Sequence, residues 1–328
     1  MKALLCESYG PPSNLRLRDV PDPVPAADEV LLEVHACSVN FPDTLLIEGK
    51  YQVRPPLPFA PGSDVAGRVL RVGERCKRFR VGDEVVAFTR VGGFAEKLTV
   101  SERACFPKPL AMSPVVAASF LMAYGTSYHA LKDRARLRAG ETLLVLGASG
   151  GVGLAAVELG TLMGARVLAA ASTREKLDLC VRHGADATIQ YTEEDLKKRT
   201  RELTDGRGVD VVFDPVGDRF TEPAFRATAR GGRHLVLGFA AGEIPKLPTN
   251  LALLKEASLV GVFWGNFAAA EPHRNLENIT ELLGFYHEEK LRPHIHATYP
   301  LAEGGAALEE IRQRRVMGKV VVVMNDAN

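Results

Sequence analysis

A glycine-rich turn, Gly147-Ala148-Ser149-Gly150-Gly151-Val152-Gly153, constrains this chain more than any other segment. It follows a short apolar run, Thr142–Leu146, and opens an apolar-periodic stretch reaching about Met163. A strand that feeds a glycine turn and then a helix places free backbone N–H groups, and the positive end of the helix dipole, where an anion can sit. Glycines let the backbone approach a pyrophosphate and let the helix pack close to the strand. The strict GxGxxG spacing is not met; the segment is an AxxGxxG-like variant. Ser149, Gly150, Gly151 and Val152 are therefore the expected phosphate-loop residues.

The same residues satisfy GxSxG, the nucleophile elbow of hydrolases, and Asp214 and His234 follow in the order such enzymes use. An elbow usually lies in mid-sheet. Here a β-rich region precedes the turn and five strand–helix partners follow it, so Ser149 is read as part of a dinucleotide loop.

Those partners set the architecture. Strand candidates lie at 165–171, 187–191, 209–214, 233–238 and 259–264, with helices starting near Thr173, Glu193, Arg219 and Asn250. Alternating short strands and helices imply a parallel sheet, and six strands make a full doubly wound domain. Residues 1 to about 115 differ: runs such as Glu29–Val34, Gly67–Val72 and Asp83–Phe88 are separated by Gly, Pro and Asp, the pattern of a β-barrel or sandwich. Helical stretches at about Arg274–Glu289 and Ala306–Arg315 and a last strand, Lys319–Met324, are read as returning to that first domain. The fold class is thus α/β, with a β-rich domain at 1–122 and 267–328 and an inserted nucleotide domain at 123–266.

Length agrees, since 328 residues suit two domains. Lys plus Arg number 41 against 40 Asp plus Glu, which gives no general attraction to nucleic acid or to an anionic membrane surface. The most continuous apolar run, Val115–Tyr124, is broken by Ser119 and is too short to span a bilayer. Five scattered cysteines argue against a disulfide framework, and the N-terminus does not read as a signal peptide. The expected setting is cytoplasmic.

Cofactor choice turns on the end of the second strand. An NAD site places an acid there for the ribose 2′-hydroxyl, whereas this strand ends Ala170-Ala171-Ser172-Thr173. Without that carboxylate, Ser172, Arg174 and Lys176 offer a hydroxyl and positive charge to a 2′-phosphate. NADPH is the expected cofactor. Glu175 lies between them and, on a helix start, is directed elsewhere.

Nearly the whole chain resembles the zinc-free quinone oxidoreductase branch of the medium-chain dehydrogenase/reductases. The resemblance rests on Ser38-Val39-Asn40-Phe41-Pro42-Asp43, Pro61-Gly62-Ser63-Asp64-Val65-Ala66-Gly67, Val81-Gly82-Asp83-Glu84-Val85, the glycine turn and Gly318-Lys319-Val320-Val321-Val322. It implies a GroES-like substrate domain, a Rossmann domain, NADPH, and a homodimer paired through the Rossmann sheets. Zinc-dependent relatives carry a ligand cysteine where this chain has Asn40 and a His-Glu pair where it has Ser63-Asp64; their four-cysteine lobe has no counterpart in 87–98. No metal is expected. Cys37 reads as a buried strand residue, and His294 and His296, placed on one side of a strand, lack a third ligand.

Without a metal the chemistry suits an acceptor that is already electrophilic, a quinone or an activated enone. Asn40 can donate through its amide and Asp43 orients that region; the resemblance places Asn40 beside the nicotinamide and implies that Tyr51 lines the pocket or donates a proton. Some quinone reductases carry a second tyrosine where this chain has Leu45, which implies a more apolar pocket. Thr126 is implied near the nicotinamide, Tyr191 near the 2′-phosphate, and Lys319 near the cofactor phosphates. Gly238, Phe239 and Ala240, and Val262, Phe263 and Trp264, follow two strands on the carboxyl edge where such sheets bind ligands, with Trp264 as a slot wall or a dimer contact. Two alternatives stand beside this reading: an enoyl-thioester reductase, and an NADPH-binding protein without turnover.

Overall fold

The computed structural model describes residues 1–324. The chain forms two compact units, Met1–Met122 with the segment from Pro293 onward, and Ala123–Arg292. The second unit thus runs past the division at 266/267 that the sequence suggested. The reason is the helix Pro272–His287, which joins the second unit and buries Asn275, Asn278, Ile279 and Leu282. Glu281 accepts from the Tyr128 hydroxyl at 2.6 Å, Asn278 accepts from Lys132 at 3.0 Å, and Asn275 accepts from the Trp264 indole at 3.0 Å. Residues 325–328 of the predicted first domain lie outside the described residues.

The first unit opens with an antiparallel pair, β1 (Lys2–Leu5) and β2 (Arg16–Asp19). Its main sheet contains β3 (Glu29–Val39), β4 (Asp64–Val72), β5 (Glu84–Phe88), β6 (Lys97–Ser101) and β7 (Cys105–Pro107). The second unit holds β8 (Thr142–Leu146), β9 (Arg166–Ala171), β10 (Ala187–Gln190), β11 (Val209–Asp214), β12 (Thr228–Val236) and β13 (Ser258–Gly261). β14 (Ile295–Pro300) and β15 (Lys319–Val323) then complete the first unit's sheet, in the order β14-β15-β3-β4-β5-β7 with β6 also on β3.

β3 organises that sheet, since β4, β6 and β15 all pair with it antiparallel. Most of β3 is buried, and Val30, Leu32, Val34 and Cys37 join Val65, Val69, Val85 and Phe94 in one apolar core. The pairing of β15 with β3 has a functional consequence: it brings Val320 opposite Val39 and so carries Lys319 to the end of β3, next to Asn40.

The six strands of the second unit are all parallel, in the order β10-β9-β8-β11-β12-β13. Counted within the unit this is the 3-2-1-4-5-6 order of a doubly wound dinucleotide domain. All five residues of β8 are buried, as expected for a strand covered on both faces. The strand order reverses between β8 and β11, so the loops after Leu146 and Asp214 flank the switch point where such sheets bind ligands. β13 stops at Gly261, so the predicted strand 259–264 is shorter than expected and Trp264 starts a helix, Trp264–Ala270. Among the described residues no helix is long and apolar enough to cross a membrane.

Candidate active site

The glycine turn has the local geometry its sequence demands. Gly147 adopts φ +56°, a left-handed conformation that glycine enters without penalty. A Cβ on Gly153 would stand 2.3 Å from the Gly147 carbonyl oxygen, so only glycine lets the helix Gly151–Leu162 begin this close to β8. Gly150 is the N-cap of that helix and has no side chain to fill the space over its first N–H groups. Ser149 is buried, while Gly151 and Val152 are half-buried in the first turn. Backbone donors, a dipole end and an open cradle fit a pyrophosphate.

At the carboxyl end of β9 the structure groups three of the predicted cofactor residues. Lys176 Nζ lies 3.4 Å from Ser172 Oγ, and the Tyr191 backbone N–H donates to Ala171 O at 3.2 Å. Tyr191 packs against the Phe220 ring at 4.5 Å. Arg174 does not join them: it is exposed and donates to Asp178 at 3.0 Å along its own helix. Glu175 is exposed. A hydroxyl and an ammonium at this strand end match a 2′-phosphate by charge.

Other predicted cofactor residues vary in setting. Thr126 is half-buried on the helix Leu121–Tyr128, where its neighbour Ser127 donates to Val152 O at 2.8 Å. Gly238, Phe239 and Ala240 are half-buried after β12, on the carboxyl edge, where the Phe239 ring closes over Gly217. Val262 is buried and Phe263 exposed. Trp264 departs from the expected slot wall: it is 4% exposed, its ring packs on Gly125, and its N–H is taken by Asn275.

In the first unit a polar cluster lies where β3, β4 and β15 meet the helix Phe41–Ile47. Asn40 caps that helix, and the Asp43 carboxylate accepts from the Asn40 N–H at 2.8 Å and from the Gly62 N–H at 3.1 Å. Asp43 thus ties the helix to the Pro61–Asp64 turn. Asp64 accepts from the Met122 N–H at 3.0 Å through Oδ2, whereas its Oδ1 is buried without a partner. Burial pushes Asp43 up to about 6 and Asp64 up to about 7. Tyr51 is half-buried against the same core, and burial, with the Asp43 charge adding to it, raises its phenol.

Lys319 differs most from expectation. It is 6% exposed and turned inward: Nζ donates to Asn40 Oδ1 at 2.5 Å and to Val39 O at 3.3 Å. Burial lowers its pKa, and the charges of Asp64 and Asp43 oppose that fall. The hydrogen-bond partners of the ammonium are thus an amide oxygen and a backbone carbonyl, with Asp64 and Asp43 acting on it through their charge. The side chains of Ser38, which accepts from Asn40 Nδ2 at 3.2 Å, and Asp64 belong to the same cluster, and sequence reasoning did not assign them a role. The signal was present in the β3–β4 register, which sets Ser38 opposite Asp64.

Among the described residues no group of three or more His, Cys, Asp or Glu side chains could hold a metal ion. His294 precedes β14 and His296 lies within it.

Comparison with known proteins matches this arrangement. The zinc-binding dehydrogenase family matches residues 151–281, and the alcohol dehydrogenase GroES-like domain matches residues 26–110. A quinone oxidoreductase-like protein 2 homolog from Nematostella vectensis is 36% identical over 324 residues, covering 98% of this chain and 88% of that protein. Among solved structures, a mycobacterial protein complexed with NADPH is 31% identical with TM-score 0.94, covering 99% of this chain and 100% of the other. The Escherichia coli quinone oxidoreductase complexed with NADPH is 26% identical with the same TM-score of 0.94, again covering 99% and 100%. The chain belongs to the quinone oxidoreductases of the medium-chain dehydrogenase/reductase family.

Proposed function

We propose that this chain is an NADPH-dependent oxidoreductase that reduces a quinone or an activated enone. The observation that carries the reading is Lys176 Nζ placed at Ser172 Oγ, at the end of a strand whose sequence closes without an acid, beside a glycine turn at the switch point of a parallel sheet. When bound, NADPH supplies the hydride, so that NADPH and a proton are consumed and NADP⁺ and the two-electron-reduced acceptor are formed. The Gly150–Val152 N–H groups hold the pyrophosphate, and Ser172 and Lys176 hold the 2′-phosphate.

The acceptor side falls to the first unit. Reduction at carbon builds negative charge on the acceptor oxygen, which a preorganised donor stabilises. The Asn40 amide is that donor. Asp43 holds Asn40 in place through its backbone N–H, and the Tyr51 hydroxyl, kept protonated by its raised pKa, delivers a proton. The half-buried Leu45 makes the acceptor slot more apolar than a tyrosine there would.

The reading includes a cytoplasmic homodimer joined edge to edge at β13. That strand is the open edge of its sheet, and Leu259 is 53% exposed on it, with Leu253, Leu254 and Phe263 exposed nearby in sequence. An edge bearing unpaired backbone groups and exposed apolar side chains is one that proteins cover.

The test is NADPH oxidation by the purified protein, followed by absorbance, with a quinone and an enoyl-CoA thioester in parallel and NADH as control. Quinone turnover with NADPH preferred over NADH is expected. Turnover of the thioester alone moves the acceptor to that class. Tight NADPH binding with no turnover of either acceptor overturns the catalytic reading.

A further inference from the structure

The contact between Lys319 and Asn40 carries a consequence for catalysis that rests on the proposed acceptor chemistry. An ammonium has three donors and no acceptor, so the amide atom facing Lys319 Nζ at 2.5 Å is the oxygen. The amide nitrogen therefore points the other way. One of its hydrogens goes to Ser38 Oγ at 3.2 Å, and the second has no partner among the described residues. A cation on the carbonyl oxygen draws electron density through the amide and makes the remaining N–H a stronger donor. Lys319 itself is fixed by a second acceptor, Val39 O, at the end of the same strand that carries Asn40.

We propose that Lys319 is the positioning residue of this site: its ammonium sets the orientation of the Asn40 amide and strengthens the free N–H that meets the oxyanion forming on the reduced acceptor. Ser38 completes the frame by taking the other amide hydrogen. The buried carboxylates Asp43 and Asp64 supply the negative charge that lets an ammonium reside there. The contribution grows as charge develops, so it acts on the transition state and hardly on the bound acceptor.

The experiment compares the wild type with Lys319→Met, Lys319→Arg, Asn40→Ala and the Asn40→Ala/Lys319→Met double variant. Three quantities are read: kcat and KM for a quinone and for an enone, the NADPH Kd by fluorescence titration, and, without cofactor, the binding of 4-nitrophenolate by its spectrum. Lys319→Met is expected to lower kcat about tenfold or more with little change in KM or NADPH Kd, a fraction of the ~100-fold or greater loss typical of removing an oxyanion donor outright. The loss is expected to be larger for the enone, whose charge is more localised, than for the quinone. Nitrophenolate binding weakens in step, Lys319→Arg restores much of both, and Lys319→Met adds nothing once Asn40 is alanine.

Additive losses in the double variant, or unchanged nitrophenolate binding in Lys319→Met, overturn the inference and leave a structural lysine. A weakened NADPH Kd in Lys319→Met with kcat preserved also overturns it and returns Lys319 to the cofactor. If the wild type oxidises NADPH with neither acceptor, the functional reading fails and this inference with it; turnover by the wild type with kcat unchanged in Lys319→Met removes the inference alone.

Discussion

His234 Nε2 and Asp214 Oδ2 are joined by a 3.0 Å hydrogen bond between adjacent parallel strands, with both side chains buried. Asp214 is also an acceptor for Val216 N–H at 2.9 Å, Gly217 N–H at 2.8 Å and the Thr221 hydroxyl at 2.7 Å. His234 Nδ1 is buried with no hydrogen-bond partner among the described residues, so it does not bond the Ser149 hydroxyl. The serine–aspartate–histidine order in the sequence is therefore not a triad. Asp214 instead holds the turn after β11, at the switch point.

Asp214→Asn should destabilise the protein by about 1–3 kcal/mol, because an amide cannot accept all four of these bonds and leaves buried donors unmet. Urea unfolding measures this. Burial pushes Asp214 up, but the His234 bond and charge, with the Gly217 and Thr221 bonds, together hold it below its ordinary value of 3.8. Its contribution is therefore present above about pH 4 and lost as the pH falls through the depressed pKa.

Cofactor preference should reside in Lys176 and not in Arg174. Lys176→Ala is expected to raise the NADPH Kd by about 10- to 100-fold, the loss of one charge-assisted bond, and to leave the NADH Kd nearly unchanged. Arg174→Ala, which removes only an exposed ion pair with Asp178, should change either Kd little. Equal losses for both cofactors in Lys176→Ala would show that it does not read the 2′-phosphate.

The Asp64 carboxyl predicts a pH signature. Burial raises it from 3.8 to about 7, against the pull of Lys319 and the Met122 N–H. The folded state then holds a proton that the unfolded state has released, so this contribution is complete below about pH 4 and is lost as the pH rises through about 7. Asp64→Asn should flatten that decline, whose slope for one proton is at most about 1.4 kcal/mol per pH unit. Asp43, raised to about 6, acts with the same sign and remains in the variant. Unfolding free energies from pH 4.5 to 7.5, compared between wild type and variant, measure the difference.

Tyr51→Phe should lower kcat with an enone about 10- to 100-fold and leave the NADPH Kd unchanged, because only the proton donor is lost. Steady-state kinetics with a fluorescence titration separates the two. An unchanged kcat would assign the proton to solvent and Tyr51 to the pocket wall.

If the proposed β13 homodimer forms, Leu259→Asp should make it a monomer in sedimentation velocity, since the variant sets a charge on the open β13 edge. A wild-type monomer at micromolar concentration would remove the edge-to-edge proposal.

Much of this arrangement is legible in local sequence. Alternation of strand and helix, the Gly147–Gly153 turn and the acid-free end at Ala171-Ser172 follow from periodicity, backbone freedom and charge, which act over a few residues. The cluster around Asn40 is different in kind. Lys319 reads as a surface lysine or a phosphate ligand because nothing within its own stretch, Gly318–Val322, is a carboxylate or an amide. Antiparallel pairing of β15 with β3 brings it beside Asn40, across nearly the whole chain. Trp264 shows the same limit, since its apolar run reads as strand, and only packing on Gly125 and the bond its indole donates to Asn275 turn it inward. The sequence by itself determined the two architectures, the glycine turn and the absence of an acid at the end of β9. Tertiary structure alone decided which buried cation meets which amide, because strand register, unlike helix or turn propensity, is set by partners distant in the chain.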